Sequence, residues 1–86
     1  MAEIEVKMPI DPFKVVRRAL SSAKKKLKKK IVGLSYDEDA DVLYVKFSQA
    51  KVVDSKPLDA DGMLMASLDK NGKVIGIIIM DASKYK

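Results

Sequence analysis

The sequence predicts an α+β fold: an N-terminal strand and one amphipathic basic helix, then about five antiparallel β-strands in a meander. Three observations carry this. Apolar residues recur at steps of three and four from Phe13 to Ile31, then at steps of two from Leu34 onward. Turn sequences rich in Asp and Gly separate the period-two runs. Charge divides at the same place: residues 12–30 carry nine cations and no acid, whereas residues 33–86 carry seven basic and nine acidic side chains, a net of −2. The 86 residues are read as a single domain, with 1–32 supplying the strand and basic helix and 33–86 the sheet.

Ile4, Val6, Met8 and Ile10 alternate with Glu3, Glu5 and Lys7, the period of a half-buried strand, which Pro9 and Pro12 end. Asp11-Pro12 starts the helix, with a carboxylate to cap it and a proline where the missing N–H costs nothing. Phe13, Val16, Leu20, Ala23, Leu27 and Ile31 then form one stripe, while Lys14, Arg18, Ser22, Lys25 and Lys29 face away. The lysine run is expected to lie in the last turns, where it complements the helix dipole, and Gly33 closes the element.

Beyond Gly33, Leu34 and Tyr36 lead into the acidic turn Asp37-Glu38-Asp39-Ala40. Val42 to Phe47 is the next strand, with Leu43, Val45 and Phe47 on one face; Lys51 to Lys56 is a more polar one, ended by Pro57. Asp59-Ala60-Asp61-Gly62 turns the chain into Met63 to Leu68. Asp69-Lys70-Asn71-Gly72 is the clearest hairpin signal, because Asn and Gly tolerate positive φ. The last strand, Lys73 to Met80, places Ile75, Ile77 and Ile79 on one face and Val74, Ile78 and Met80 on the other. A strand apolar on both faces is covered on both, so Val74, Ile78 and Met80 are the expected oligomer interface.

Size and composition narrow the class. A chain this short buries a thin core, and without cysteine it has neither disulfides nor a thiolate metal site. Small domains lacking such staples borrow burial from a second subunit, so a homodimer is expected. No apolar run reaches membrane-span length, and Glu3 and Glu5 interrupt the place of a signal-peptide core, giving an expected cytoplasmic location. With Gln49 and Asn71 the only side-chain amides among many lysines, the composition leans toward a heat-adapted source.

Four stretches taken together resemble a known family: Tyr36 to Val45, Val52-Val53-Asp54-Ser55, Gly72 to Ile77, and Asp81-Ala82-Ser83-Lys84. They are similar to domain-of-unknown-function family 2283, in the same order and over about residues 33–86. The resemblance implies a compact, β-rich prokaryotic or archaeal protein and no particular activity; some members resemble partners in toxin–antitoxin gene pairs. This chain departs from the family pattern in its N-terminal strand and basic helix, and in carrying Ile78 where glutamate is common.

Among candidate sites, Asp37, Asp39 and Asp41 have the spacing that opens a calcium loop, but Val42 and Ser48 stand where the loop needs glycine and glutamate. A solvated turn is therefore expected, with no metal and no cofactor. Nucleophilic catalysis lacks a histidine base and a glycine-flanked serine, and no glycine-rich loop cradles phosphate, so an enzyme is not expected. The basic helix has three readings: its outer face lies along nucleic-acid phosphates, it lies on an anionic membrane, or its lysines only solvate a helix docked on the sheet. The expected function is non-enzymatic binding, with Lys14, Arg17, Arg18, Lys24, Lys25, Lys28 and Lys29 contacting nucleic-acid phosphates without reading bases. The alternative is a protein-binding module, antitoxin-like or structural, with no nucleic-acid role.

Overall fold

The computed structural model describes residues 10–26 and 29–86. The strand expected over Ile4 to Ile10 falls on residues 1–9, outside the described residues except for Ile10, which is buried in the core. Among the described residues, one helix, α1 (Pro12–Ser22), precedes five strands: β1 (Gly33–Asp37), β2 (Val42–Lys46), β3 (Asp54–Pro57), β4 (Leu64–Leu68) and β5 (Val74–Met80). A 3₁₀ turn, Ala82–Tyr85, ends the chain. The α+β expectation holds, with all strand pairs antiparallel in one sheet.

The sheet order is β1-β2-β5-β4-β3, which corrects the simple meander. The two hairpin systems, β1–β2 and β3–β4–β5, join where β5 returns to pair with β2. The physical reason lies in β5 itself. In the central slot Ile77 faces Val45 and Ala66, and Ile79 faces Leu43 and Leu64, so the most apolar strand has apolar neighbours on both sides. The more polar β3 goes to an edge, where Lys56 and Pro57 discourage further strand pairing.

Helix α1 covers one face. Asp11 Oδ1 accepts from the backbone N–H of Phe13 at 3.1 Å and of Lys14 at 3.3 Å, the expected N-cap. The C-terminus is a correction, because the helix stops at Ser22 instead of running to Ile31. Lys24 adopts the left-handed conformation at φ 57°. Its N–H donates to Ser21 O at 3.0 Å and that of Lys25 to Leu20 O at 2.8 Å, the paired bonds that close a helix in a Schellman motif. A continuing helix would have set Lys25 against Lys29 and Lys26 against Lys30, like charges four apart, each costing about 0.2–0.5 kcal/mol. The lysines thus follow the helix and do not occupy its last turn.

The stripe also turns relative to expectation. Val15, Val16, Ala19 and Leu20 are buried, whereas Phe13 is 57% exposed. They meet Leu43, Val45, Leu64, Ile77, Ile79 and Ala82 in one core.

Candidate functional site

The seven cations expected on one helix face are divided by the early end of α1. Lys14 is half-buried in the first turn, and Arg17 and Arg18 are exposed. The guanidinium of Arg18 donates to the carbonyl of Lys86, which ties it to the C-terminus. Lys24 and Lys25 lie just beyond the helix, and Lys28 is outside the described residues. Lys29 donates from Nζ to the carbonyl of Val74 at 2.5 Å, holding the returning segment against β5. Arg17, Lys24 and Lys25 are brought together with Lys26 around a concavity of about 600 Å³ floored by Leu20 and Ser21. Among the described residues lining it none is acidic. Lys26 belongs here although the helical wheel did not select it, since the wheel assumed that the helix continued.

Among the described residues, no helix lies on the opposite face of the sheet. Register places Ser35, Tyr44, Ile78, Met65 and Pro57 in one row across it, with Val42 and Met80 in the next. Tyr44 is 40% and Met80 37% exposed. The expected trio on this face is only partly right. Between Ser67 and Leu68 the pairing shifts, so that Ser67 faces Gly76 while Leu68 faces Val74, leaving Ile75 as an extra residue in β5. The bulge sends Val74 to the helix side, where it lines a hollow with Leu20 and Phe47. Ile75 changes sides in return and lines a hollow of about 340 Å³ with Tyr44, Val52 and Ile78. Gly76 forms part of its floor, and a Cβ there would stand 2.7 Å from Val45 O.

A polar cluster joins the β1–β2 turn to the C-terminus. Asp37 Oδ1 accepts from the N–H groups of Asp39 and Ala40 at 3.1 and 3.3 Å, the local turn bonding expected of aspartate. Asp41, left-handed at φ 55°, accepts from Tyr36 Oη at 2.5 Å and from Ser83 Oγ at 2.6 Å. The N–H of Ser83 also donates to it at 3.1 Å. The Ser83 hydroxyl, followed by that of Tyr36, holds the Asp41 carboxyl below its usual range. The same bond to Asp41, with burial and nearby carboxylates adding to it, pushes the Tyr36 phenol up to about 12. A carboxylate so fully engaged is a weak base, and a phenol so raised is a weak acid; the cluster fastens the 3₁₀ turn to the sheet. Among the described residues no group of three or more His, Cys, Asp or Glu is placed to hold a metal ion.

Together these features define a small α+β domain with a cationic end, an apolar sheet face left open by the described residues, and a polar clasp at its C-terminus. Residues 34–83 match the family described as "Protein of unknown function (DUF2283)". The chain belongs to that family. The clasp residues Tyr36, Asp41 and Ser83 all fall inside the matched span, whereas α1 and its lysines precede it. No curated protein and no solved structure matches the chain. Among the described residues no helix is long and apolar enough to cross a membrane.

Proposed function

We propose that this protein is a non-enzymatic binding protein that takes nucleic-acid phosphates on the cationic end of α1. The observation supporting this is the convergence of Arg17, Lys24, Lys25 and Lys26 on one concavity without an acidic lining residue among those described. Each phosphate neutralised releases counterions, so four contacts give a slope near −3.6 in log affinity against log salt, about a hundredfold between 50 and 200 mM. Lysines are point charges without a fixed fork, which favours binding indifferent to base sequence. Replacing Arg17, Lys24, Lys25 and Lys26 by glutamine is expected to weaken binding equally on unrelated sequences and to flatten the slope. Absence of binding by the unmodified protein to DNA and RNA at low salt would sink the reading.

A second reading, protein binding, is favoured by the open sheet face, and its occupant is a second copy of the chain. Tyr44 lines the hollow over Gly76 and Met80 is exposed on the same face, so one surface offers both apolar side chains and a recess, which suits an isologous, self-complementary contact. Five strands about 4.8 Å apart and five residues of about 3.3 Å give a footprint of roughly 400 Å². Stable partners bury about 800 Å² each, so the contact draws in the flanking Val52 and Val53, and dissociation is expected in the micromolar range. Light scattering across that range is the test; a monomer throughout would remove the dimer.

A further inference from the structure

We propose that the hollow between the end of α1 and the sheet binds a small single-tailed amphiphilic anion, a carboxylate or phosphate monoester on an alkyl chain. The hollow measures about 280 Å³. Its apolar wall is Leu20 from α1, Phe47 and Leu58 from the loops after β2 and β3, and Val74 and Ile77 from β5. Lys25, Lys26, Lys29 and Lys56 stand around it, and no acidic residue is among its described lining. Apolar floor and cationic rim together select a molecule with a tail and an anionic head. A neutral hydrocarbon would leave the ammonium groups unused, and an inorganic anion would leave the floor wet.

Two features make this more than a charged surface. Lys29 has its Nζ fixed on the Val74 carbonyl at 2.5 Å, so one ammonium is held beside the apolar wall and retains N–H groups for a ligand. Lys56 reaches the same hollow from the far edge strand, on the helix-side face opposite Ala66, although it is distant in sequence from the other three. Taking about 30 Å³ per water- or methylene-sized group, the volume holds roughly nine such groups, which points to a tail of about eight to ten carbons. The inference does not rest on the nucleic-acid reading, although Lys25 and Lys26 border both surfaces.

The test is calorimetric and NMR titration of the full chain with decanoate below its micellar concentration. Decyl phosphate, decanol and decyltrimethylammonium are run alongside. Saturable one-to-one binding of both anions is expected, with shifts at Phe47 and Leu58 and much weaker binding of the alcohol and the cation. Shortening the tail from decanoate to octanoate should weaken binding severalfold, up to about tenfold. Lys56→Glu should weaken decanoate about fivefold to tenfold while leaving DNA binding within about twofold, because Lys56 is outside the Arg17 concavity. Arg17→Gln should do the reverse, so failure of one reading is distinguishable from failure of the other. Equal binding of the cationic amphiphile, non-saturating uptake, or indifference to Lys56→Glu would overturn the proposal. So would binding to anionic vesicles without binding of monomeric decanoate. No binding of monomeric decanoate by the full chain would overturn it as well.

Discussion

Lys24→Gly should make this protein more stable, although it removes a residue from the middle of a helix-like sequence pattern. Lys24 sits at φ 57°, where an L-residue with a side chain costs about 1–2 kcal/mol relative to the right-handed region. Glycine relieves that cost and gives back about 0.5–1 kcal/mol in extra freedom of the unfolded chain. The net is a gain of about 0.5–1 kcal/mol, or roughly 2–8 °C in Tm for a domain of this size. Both closing bonds, Lys24 N–H to Ser21 O and Lys25 N–H to Leu20 O, are backbone bonds and survive the change. The comparison variant is Lys24→Gln, which loses the same charge and keeps the strain. Thermal and urea unfolding by circular dichroism at 0.5 M salt, where lysine repulsion is screened, should rank glycine above glutamine with unchanged urea slope. Had the helix continued to Ile31, glycine would sit in its interior and cost about 1 kcal/mol. A glycine variant less stable than the glutamine one would therefore refute the early helix end.

Other expectations follow from single contacts. Gly76→Ala places a Cβ 2.7 Å from Val45 O in the centre of the sheet, and should cost about 1–3 kcal/mol in urea unfolding. Asp41 has a carboxyl pKa depressed in the folded state, so its contribution is present above the ordinary value of 3.8 and lost as pH falls through the depressed one. Asp41→Asn, which tolerates the same backbone, should show a shallower acid loss; an unchanged acid slope would mean the clasp contributes nothing. Tyr36, raised to about 12, contributes fully below pH 10.0 and loses that contribution as pH climbs from there toward 12, so Tyr36→Phe should flatten stability over that interval. Ile78→Glu on the open face should weaken self-association in sedimentation more than it lowers Tm, because Ile78 is only half-buried within one chain.

The sheet was largely legible because period-two patterning and turn chemistry are local. The Asp69–Gly72 hairpin forms as read, with Gly72 at φ 78° and Asp69 Oδ1 accepting from the N–H groups of Asn71 and Lys73. Strand order was not legible, since nothing local in Lys51 to Lys56 says that the chain has crossed to the far edge. The bulge at Ile75 was equally hidden: it is set by pairing with Ser67 and Leu68, and one extra residue exchanges the faces of Val74 and Ile75. On α1 the apolar period ran on past Ser22, but period alone carries no term for three lysines in a row or for a left-handed Lys24. The cationic surface was therefore foreseen in composition and misplaced in geometry. Lys26 and Lys56 were missed because one needed the helix end and the other the sheet order.

The position of α1 decides how the two surfaces can act together. The helix and its lysines occupy one face of the sheet, and the apolar row of Tyr44, Ile78 and Met65 occupies the other. Two copies joined through the open faces would hold their cationic ends outward, so neither surface obstructs the other. A polyanion long enough to reach both ends would meet the second at a raised effective concentration, and avidity would exceed that of one end without any new contact. A short oligonucleotide that spans one end gains nothing. The affinity difference between long and short strands should then disappear in Ile78→Glu, although that residue carries no charge in the parent and lies on the face away from every lysine in the concavity. If the difference persists in a monomeric variant, it comes from sliding along a longer lattice of phosphates, and the two surfaces act independently.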